Sequence, residues 1–301
     1  MSLFDDLHAI TLIDERMALH TSFGVGGEVS YFITPRSWAE LELAHDRSRA
    51  AGLRVRVLGR GSNILVTDEY HCCAVISTEA LVGVARTGLR VDAGAGLALP
   101  RLLAAAEAWG LGGFEPLAGI PGSVGGAVAM NAGGRHGTIG ERLVGAMVAC
   151  PDAGVRWVEA GDLGLSYRGS SVVEGSPVVL SATFELERAA PRGLQARRRS
   201  ITAEKRAAQP MGARSAGCVF KNPPGQSAGR LIDQACLKGT SVGDAAVSHK
   251  HANFIVNRGK ARASDILDLI GLVRDRVLDR FGVCLELEIE IWAPEESTRS
   301  A

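Results

Sequence analysis

The segment from Gly112 to Gly134, GGFEPLAGIPGSVGGAVAMNAGG, constrains the fold more than any other stretch of the chain. It is too rich in glycine for a core helix, because each helical glycine costs about 1 kcal/mol relative to alanine. It is also too apolar for a disordered linker. We therefore expect an ordered, irregular segment in which small residues allow the backbone to pack closely against a partner.

Two glycine loops are candidates for binding phosphate. The first glycine loop, Gly59–Asn63 (GRGSN), lacks the third glycine of a dinucleotide fingerprint, and strand-like residues follow it. The second glycine loop, Gly119–Gly133, lacks the GK[ST] ending of a P-loop. Either loop alone could be a tight turn. Together they favour a large cofactor that carries phosphate, since their backbone N–H groups are unobstructed.

Several elements with clear end signals are predicted in the N-terminal half. Ser37 and Glu40 form a capping-box pattern before a helix that Gly52 ends. The stretch LRVRVLGRGSNILV predicts a strand, a glycine turn and a second strand. A short helix is predicted to open at Pro100 and to close at Gly110.

The C-terminal half is predicted to contain a linker and a long helix. SPVVLSATFELE predicts a strand, and the basic segment Arg188–Ser200, with its Pro and Gly, predicts a linker. A long amphipathic helix follows, with Ser264 as its cap and Gly282 at its end. Its apolar face comprises Ile266, Leu267, Leu269, Ile270, Val273, Val277 and Phe281.

Length and charge exclude several classes of partner. A chain of 301 residues predicts two or three domains. Lys and Arg together number 33, as do Asp and Glu, so nothing indicates nucleic acid or an anionic membrane as a partner. We expect no secretory signal, and the sequence contains neither a CxxC pair nor an HExxH motif. We expect a cytoplasmic monomer without a metal site.

Three features carry candidate chemistry, and each also has a plainer structural interpretation. Arg168, in LSYRGS, could stabilise negative charge on an oxygen, although a lone arginine usually forms a surface salt bridge. The terminal CLELEIEIW predicts a strand with Glu286, Glu288 and Glu290 on one face, and spacing does not choose among them. Cys218, in SAGCVFKNP, could donate a proton, although most such cysteines are small core residues.

Motifs over nearly the whole chain resemble those of the UDP-N-acetylenolpyruvoylglucosamine reductases, the MurB family. In chain order they are TSFGVGG, VLGRGSNILV, GIPGSVGGAVAMNAG, YRGS, SAGCVFKNP, AGRLIDQACLKG, VSHKHANFIVN and LELEIEI. So many motifs in one order are not expected by accident. The compact C-terminal part resembles the short type II form, which lacks an inserted loop over the substrate.

This resemblance implies a flavoenzyme, a UDP-N-acetylmuramate dehydrogenase that uses FAD and NADPH. Its substrate would be UDP-N-acetylenolpyruvoylglucosamine, and the reaction would serve peptidoglycan precursor synthesis. It implies an α+β fold, with a two-part FAD-binding domain of the vanillyl-alcohol-oxidase/PCMH type and a C-terminal α+β substrate domain. The expected boundaries are 1–80 and 81–188 for the FAD-binding subdomains and 200–301 for the substrate-binding domain.

The family motifs also imply roles for individual residues. Arg168 and Glu288 would stabilise an enolate, and Cys218 occupies the position where the family usually has a serine as proton donor. The residues implied to hold FAD are Gly59, Arg60, Gly61, Ser62, Asn63, Gly119, Pro121, Gly122, Ser123, Gly125, Gly126 and Asn131. Tyr167, Lys221 and Asn222 are implied to contact the substrate.

One alternative lies within the enzymes, and a second belongs to another class of protein. The chain could be another flavin oxidoreductase of the same fold, such as a carbohydrate oxidase, but no obvious His or Cys for covalent flavin attachment is present. It could instead be a nucleotide-sugar-binding relative without catalysis. The presence of Arg168, Glu288 and a competent proton donor at Cys218 argues against that alternative.

Overall fold

The computed structural model describes residues 3–150, 154–174 and 177–294, which form a mixed fold of helices and strands. The α-helices α1 to α7 are Trp38–Ala50, Leu99–Ala108, Val124–Ala129, Ser171–Glu174, Pro191–Ala208, Ala228–Gln234 and Ala263–Phe281. Short 3-10 helices lie at Asp5–Ile10, Met17–Leu19, Glu115–Leu117, Ile139–Arg142 and Ala160–Leu163. None of the described helices is long and apolar enough to cross a membrane.

The strands pair into several small sheets. Strands β1 to β9 are Thr11–Arg16, Glu28–Ile33, Arg54–Leu58, Ile64–Val66, His71–Ser77, Val84–Thr87, Arg90–Gly94, Leu111–Gly112 and Gly133–Gly134. Strands β10 to β18 are Gly137–Thr138, Leu143–Cys150, Gly154–Glu159, Val178–Glu185, Glu187–Arg188, Ser241–Val242, Ala245–Val247, Ile255–Asn257 and Glu290–Trp292. The larger sheets have the orders β1-β2-β5-β3, β12-β11-β13-β7-β6 and β15-β16-β17. Strand β18 runs parallel to β4, with Ile291 opposite Leu65.

The chain divides into two compact units, each assembled from segments distant in sequence. The first unit comprises Met1–Leu12, Phe32–Arg60 and Ala74–Ala207. The second unit comprises Ile13–Tyr31, Gly61–Cys73 and Ala208–Ala301. The three-domain division expected from the family resemblance stays a prediction.

The core of the first unit packs against the five-stranded sheet. The ring of Phe114 meets that of Phe184 edge-on, with centroids 5.1 Å apart. Helix α2 contributes Leu99, Leu102 and Leu103, whose helical spacing places them on one buried face. The predicted helices α1 and α2 are both confirmed.

Two predictions for the first unit were wrong. The segment Arg188–Ser200 is not a linker, because helix α5 begins at Pro191 and continues to Ala208. Proline is well suited to the first turn of a helix, where its missing N–H is not needed. The glycine-rich segment does contain a buried helix, α3, because Ser123 accepts a hydrogen bond from Gly126 N and caps it.

Helix α7 organises the core of the second unit. Its buried apolar residues Ile266, Leu269, Ile270, Val273 and Val277 match the predicted face. Gly282 ends it in the left-handed conformation, as predicted.

The predicted N-cap of α7 was wrong. Ser264 lies inside the first turn, and Arg262 is the N-cap residue. The carboxylate of Asp68 accepts from the backbone N–H groups of Ala263 at 2.8 Å and Ser264 at 2.9 Å. The first turn is therefore capped by a side chain from a distant segment, which no local pattern signals.

The terminal strand is shorter than predicted. Only Glu290–Trp292 forms β18, and the preceding residues follow an irregular path that bridges to Phe220 through Leu287. Leu285 and Ile289 are buried, so part of the expected apolar alternation remains. Glu288 is half-buried, whereas Glu286 and Glu290 are exposed.

Candidate active site

Gly59, the first residue of the first glycine loop, contacts the second glycine loop within the first unit. A Cβ on Gly59 would lie 2.6 Å from the hydroxyl oxygen of Ser123, which is 1% exposed. A side chain at position 59 would therefore displace the Ser123 hydroxyl, which caps helix α3, so the close approach of the second loop favours glycine there. Gly59 and Ser123 are distant in sequence and lie next to each other in the first unit.

Close packing also fixes the second glycine loop. A Cβ on Gly125 would lie 2.8 Å from the Cβ of Ala95 in the same unit. Gly125 N donates to the carbonyl of Ala95 at 2.8 Å, and Val124 N donates to that of Leu97 at 2.9 Å. These contacts hold the loop rigidly, which limits the entropy lost when a ligand binds to it.

Asn63 links the first glycine loop to the segment that carries Glu288. In the second unit, Asn63 Nδ2 donates to the backbone carbonyl of Glu288 at 3.1 Å. Glu290 N donates to the carbonyl of Asn63 at 2.9 Å, continuing the parallel pairing of β4 and β18. Asn63, implied to hold FAD, therefore also fixes the backbone at Glu288.

Arg168 lies in a tight turn held by the second glycine loop. Its φ is 60°, which is uncommon for a residue other than glycine. Asn131 Nδ2 donates to the carbonyl of Ser166 at 3.1 Å, and Ser166 N donates to that of Gly169 at 3.0 Å. Arg168 Nη1 donates to the carbonyl of Gly133 at 3.0 Å. The loop and the turn are thus held together as one piece.

The aromatic ring of Tyr167, beside this turn, is accessible to a ligand. The guanidinium carbon of Arg168 lies 5.3 Å from the centre of the Tyr167 ring. Tyr167 is 55% exposed, as single aromatic side chains at a protein surface often are. The substrate contact implied for Tyr167 stays a prediction.

Cys218 and Glu288 lie on neighbouring segments of the second unit. Glu288 N donates to the carbonyl of Val219 at 2.8 Å, and Lys221 N donates to that of Glu286 at 2.8 Å. The two chain segments therefore run side by side through both candidate residues. Cys218 is half-buried, and none of the described cysteines forms a disulfide. The Cys218 thiol is therefore not consumed in a disulfide, and its role as proton donor stays a prediction.

Lys221 and Asn222 have structural partners near Cys218. Lys221 Nζ lies 3.7 Å from a carboxylate oxygen of Glu286 at the surface. Asn222 Oδ1 accepts from Ala228 N at 3.0 Å, at the beginning of α6. Neither contact tests the substrate role implied for these two residues, which stays a prediction.

Two polar residues that sequence reasoning missed support these segments. Asn253 bonds both backbone groups of Phe220, two residues beyond Cys218. Lys205, on α5, donates to the carbonyl of Ala118 at 2.6 Å, immediately before the second glycine loop. Asn253 lies within the quoted motif VSHKHANFIVN, but Lys205 had no motif to mark it. No cluster of potential metal ligands occurs among the described residues.

Family models match both parts of the chain. A model described as "FAD binding domain" matches residues 29–159, which include both glycine loops. A model described as "UDP-N-acetylenolpyruvoylglucosamine reductase, C-terminal domain" matches residues 209–292, which include Cys218 and Glu288.

Relatives named UDP-N-acetylenolpyruvoylglucosamine reductase match nearly the whole chain. The protein of Moorella thermoacetica is 43% identical over 284 residues, covering 93% of this chain and 93% of the relative. That of Syntrophobacter fumaroxidans is 45% identical over 292 residues, covering 94% of this chain and 84% of the relative.

Solved structures agree with these matches. The crystal structure of UDP-N-acetylenolpyruvylglucosamine reductase (MurB) from Thermus caldophilus superposes with a TM-score of 0.80 at 39% identity. It covers 94% of this chain, which in turn covers 98% of it. A berberine bridge enzyme variant, with a TM-score of 0.51 at 17% identity over 62% of this chain, shares the fold alone.

The fold and the paired glycine loops define a flavin-dependent oxidoreductase with an FAD-binding domain and a separate C-terminal domain. Within that class, the chain belongs to the UDP-N-acetylenolpyruvoylglucosamine reductase family. The expected α+β fold class and the FAD cofactor are confirmed.

Proposed function

We propose that this enzyme reduces the enolpyruvyl group of UDP-N-acetylenolpyruvoylglucosamine to give UDP-N-acetylmuramate, with NADPH as the source of electrons. The observation that carries the proposal is the pairing of the Cys218 and Glu288 segments within the domain matched by the family model. The reaction supplies a precursor of peptidoglycan. We assign it to the cytosol, where nucleotide sugars and NADPH are formed.

The two glycine loops fit FAD because a side chain at Gly59 or Gly125 would meet the neighbouring segment. We propose that the loop residues implied by the family motifs bind FAD noncovalently. FAD held there would supply the hydride-transfer chemistry between NADPH and the methylene carbon of the enolpyruvyl group. We infer that backbone N–H groups of these loops, other than those of Val124, Gly125 and Gly126, donate to its phosphate oxygens.

Three side chains of this enzyme would carry the remaining chemistry. After hydride addition, negative charge spreads into the substrate carboxylate as an enolate. Arg168 stabilises that charge, and Glu288 assists as an acid or through a water. Cys218 then donates its proton to the adjacent carbon, which completes reduction of the double bond. The thiolate that remains takes a proton from solvent before the next turnover.

The proposal is tested by anaerobic half-reactions with the purified flavoprotein. NADPH should bleach the yellow flavin, and UDP-N-acetylenolpyruvoylglucosamine should then restore the colour with one UDP-N-acetylmuramate formed per flavin. UDP-N-acetylglucosamine, which lacks the enolpyruvyl group, is the matched control and should leave the flavin reduced. Bleaching of the oxidised flavin by simple carbohydrates without NADPH, and no reoxidation by the nucleotide sugar, would identify a carbohydrate oxidase of the same fold. Binding of the nucleotide sugar without reoxidation would identify an inactive relative.

A further inference from the structure

Lys205 and Arg168 bind opposite ends of the second glycine loop. Lys205 Nζ donates to the carbonyl of Ala118, the residue before Gly119, at 2.6 Å. Arg168 Nη1 donates to the carbonyl of Gly133, the last residue of the loop, at 3.0 Å. All of these residues belong to the first unit. The loop is therefore bracketed by two cationic side chains.

The charge of Lys205 has no anionic partner in the described residues. Its neighbour Glu204 pairs with Arg135 at 2.5 Å and with His136 at 3.1 Å. No carboxylate of the described chain lies within 4.0 Å of Lys205 Nζ. An ammonium has three N–H donors, and the carbonyl of Ala118 takes only one of them. Two donors thus remain for a ligand.

The surroundings make the positive charge of Lys205 unfavourable. Burial, followed by the charge of Arg135, lowers its pKa; Glu204 opposes the shift and Arg168 adds to it, leaving the pKa at about 8. A neutral donor could make the hydrogen bond to the Ala118 carbonyl without the unfavourable burial of a positive charge. A bound anion would offset the cost, because opposite charge favours the ammonium form.

We propose that Lys205 and Arg168 form an oxyanion-binding pair at the ends of the second glycine loop. This inference deepens the proposed function, on which its choice of ligand rests. The shared chemistry is a carboxylate or phosphate oxygen, and two sources exist: the carboxylate of the substrate and the pyrophosphate of FAD. Lys205 would then be a binding residue in the same constellation as Arg168.

The test compares three variants as flavin-loaded proteins. Lys205→Met removes the charge and keeps the length of the side chain, and Lys205→Arg keeps the charge. Arg199→Met removes one charge from an exposed position on the same helix and is the matched control. FAD release on dilution is followed by flavin fluorescence. Binding of UDP-N-acetylmuramate, which has a carboxylate, and of UDP-N-acetylglucosamine, which has none, is followed by the flavin spectrum.

Each source of the anion predicts a different pattern. If the substrate carboxylate binds the pair, Lys205→Met should keep FAD but weaken UDP-N-acetylmuramate binding by about ten- to one-hundred-fold. UDP-N-acetylglucosamine binding should be unchanged, and Lys205→Arg should retain most of the affinity. If the pyrophosphate binds, Lys205→Met should release FAD more readily by a similar factor. Arg199→Met should behave as wild type in every assay.

The pH profile separates binding from a structural role. The charged groups around Lys205 are Arg135, Glu204 and Arg168. Because the ammonium is charged below its pKa, anion affinity should be full below about pH 8 and should fall above it. The fall should be absent in Lys205→Met and should not occur in this range in Lys205→Arg, since arginine stays charged.

Other outcomes overturn the inference. Suppose that Lys205→Met retains FAD and binds both nucleotide sugars as the wild type does. Lys205 would then be only a structural hydrogen-bond donor to the carbonyl of Ala118. If the wild type binds neither nucleotide sugar, the proposed function fails, and FAD retention alone then decides the inference. Faster FAD release in Lys205→Met than in Arg199→Met would support it in that case, and equal release would refute it.

Discussion

The side-chain amide of Asn253 forms hydrogen bonds with both backbone groups of Phe220, the N–H and the carbonyl. Its Nδ2 donates to the carbonyl of Phe220 at 2.7 Å, and its Oδ1 accepts from the N–H at 2.9 Å. Asn253 is 3% exposed, and its own carbonyl accepts from Val219 N at 2.9 Å. The backbone that leads out of Cys218 is therefore fixed by a single buried side chain.

Asn253→Ala should lower both stability and turnover. Phe220 would keep two buried backbone groups without partners, which costs about 1–3 kcal/mol of unfolding free energy. Displacement of Cys218 should slow substrate reduction by about ten- to one-hundred-fold, because small errors in position are costly in catalysis. Urea denaturation and single-turnover kinetics measure the two effects.

The matched control for Asn253 is Asn257→Ala. Asn257 is also buried, and it bonds Phe23 O at 2.9 Å and Gly259 N at 2.8 Å. Its loss should destabilise the protein comparably but spare turnover of the folded fraction. Equal losses of turnover in both variants would show that Asn253 has no specific effect on Cys218.

Cys218→Ser should keep substantial activity, and Cys218→Ala should lose about 10²–10⁴-fold in turnover. A hydroxyl occupies nearly the same position as a thiol and can donate a proton, whereas a methyl group cannot. Flavin reduction by NADPH should be normal in both variants, because the proton is needed only after hydride addition. Stopped-flow absorbance separates these steps. Full turnover of Cys218→Ala would show that Cys218 is a packing residue and not the proton donor.

Alkylation offers an independent test of Cys218. Iodoacetamide should inactivate the wild type as it reacts with the thiolate, and bound substrate should protect it. Cys284→Ser, at an exposed position, is the control and should remain sensitive. Cys218→Ser should resist. Inactivation of Cys218→Ser at the wild-type rate would assign the effect to another cysteine.

Arg168→Ala and Glu288→Gln should retain FAD and slow the second half-reaction by about 10²–10³-fold. Both side chains are proposed to act on the enolate, which exists only after hydride has left the flavin. Because Arg168 has a φ of 60°, Arg168→Asn should be included, since asparagine tolerates this conformation better than alanine. Slow reduction by NADPH in these variants would contradict the assigned roles.

Asp68→Ala should destabilise the second unit by about 0.5–2 kcal/mol, since its carboxylate caps the first turn of α7. Asp68→Asn should lose less, because one amide oxygen still accepts. Asp268→Ala, at an exposed position of the same helix, is the control and should have little effect. The denaturant midpoint of unfolding measures the loss of stability in each variant. Equal midpoints for Asp68→Ala and Asp268→Ala would show that the Asp68 cap does not stabilise α7.

Acid should destabilise the protein through His251. Burial, with a smaller contribution from the charge of Lys238, lowers the pKa of its imidazole. The folded pKa is below the unfolded one, so His251 costs no stability above about pH 6.5 and opposes folding as the pH falls below it. His251→Gln should flatten this part of the stability curve. Lys238→Met should weaken the dependence, and an unchanged curve in both variants would exclude His251 as its source.

Local patterns predicted those elements whose ends are set by neighbouring residues. Ser37 is the N-cap of helix α1, and its hydroxyl accepts from Glu40 N. Gly282, in a left-handed conformation, is the C-cap of α7. Helix α5 was missed because Pro191 and Gly193 resembled linker residues, whereas the remaining basic and alanine-rich sequence favours a helix. A proline and a glycine at the beginning of a segment therefore do not prevent a helix when the residues that follow favour one.

The candidate site was predictable only where a family motif covers it. The motifs placed Arg168, Cys218 and Glu288, but no pattern indicated what supports them. Lys205 bonds a carbonyl 87 residues away, and Asp68 caps a helix 195 residues away. Such contacts depend on how distant segments pack. The periodicity of a single sequence predicts local helices and strands, but it does not indicate which distant residues meet.

The bond from Asn63 to the carbonyl of Glu288 has a consequence for biosynthesis, because it joins residues 225 positions apart. On the ribosome, a nascent chain presents the first glycine loop and β4 long before β18 has been translated. In the described part of the chain, β18 is the only strand paired with β4, so one edge of β4 has no neighbour until then. Messages cut short before codon 290 should yield polypeptides with an unfinished cofactor loop, and quality-control proteases would meet an exposed strand edge.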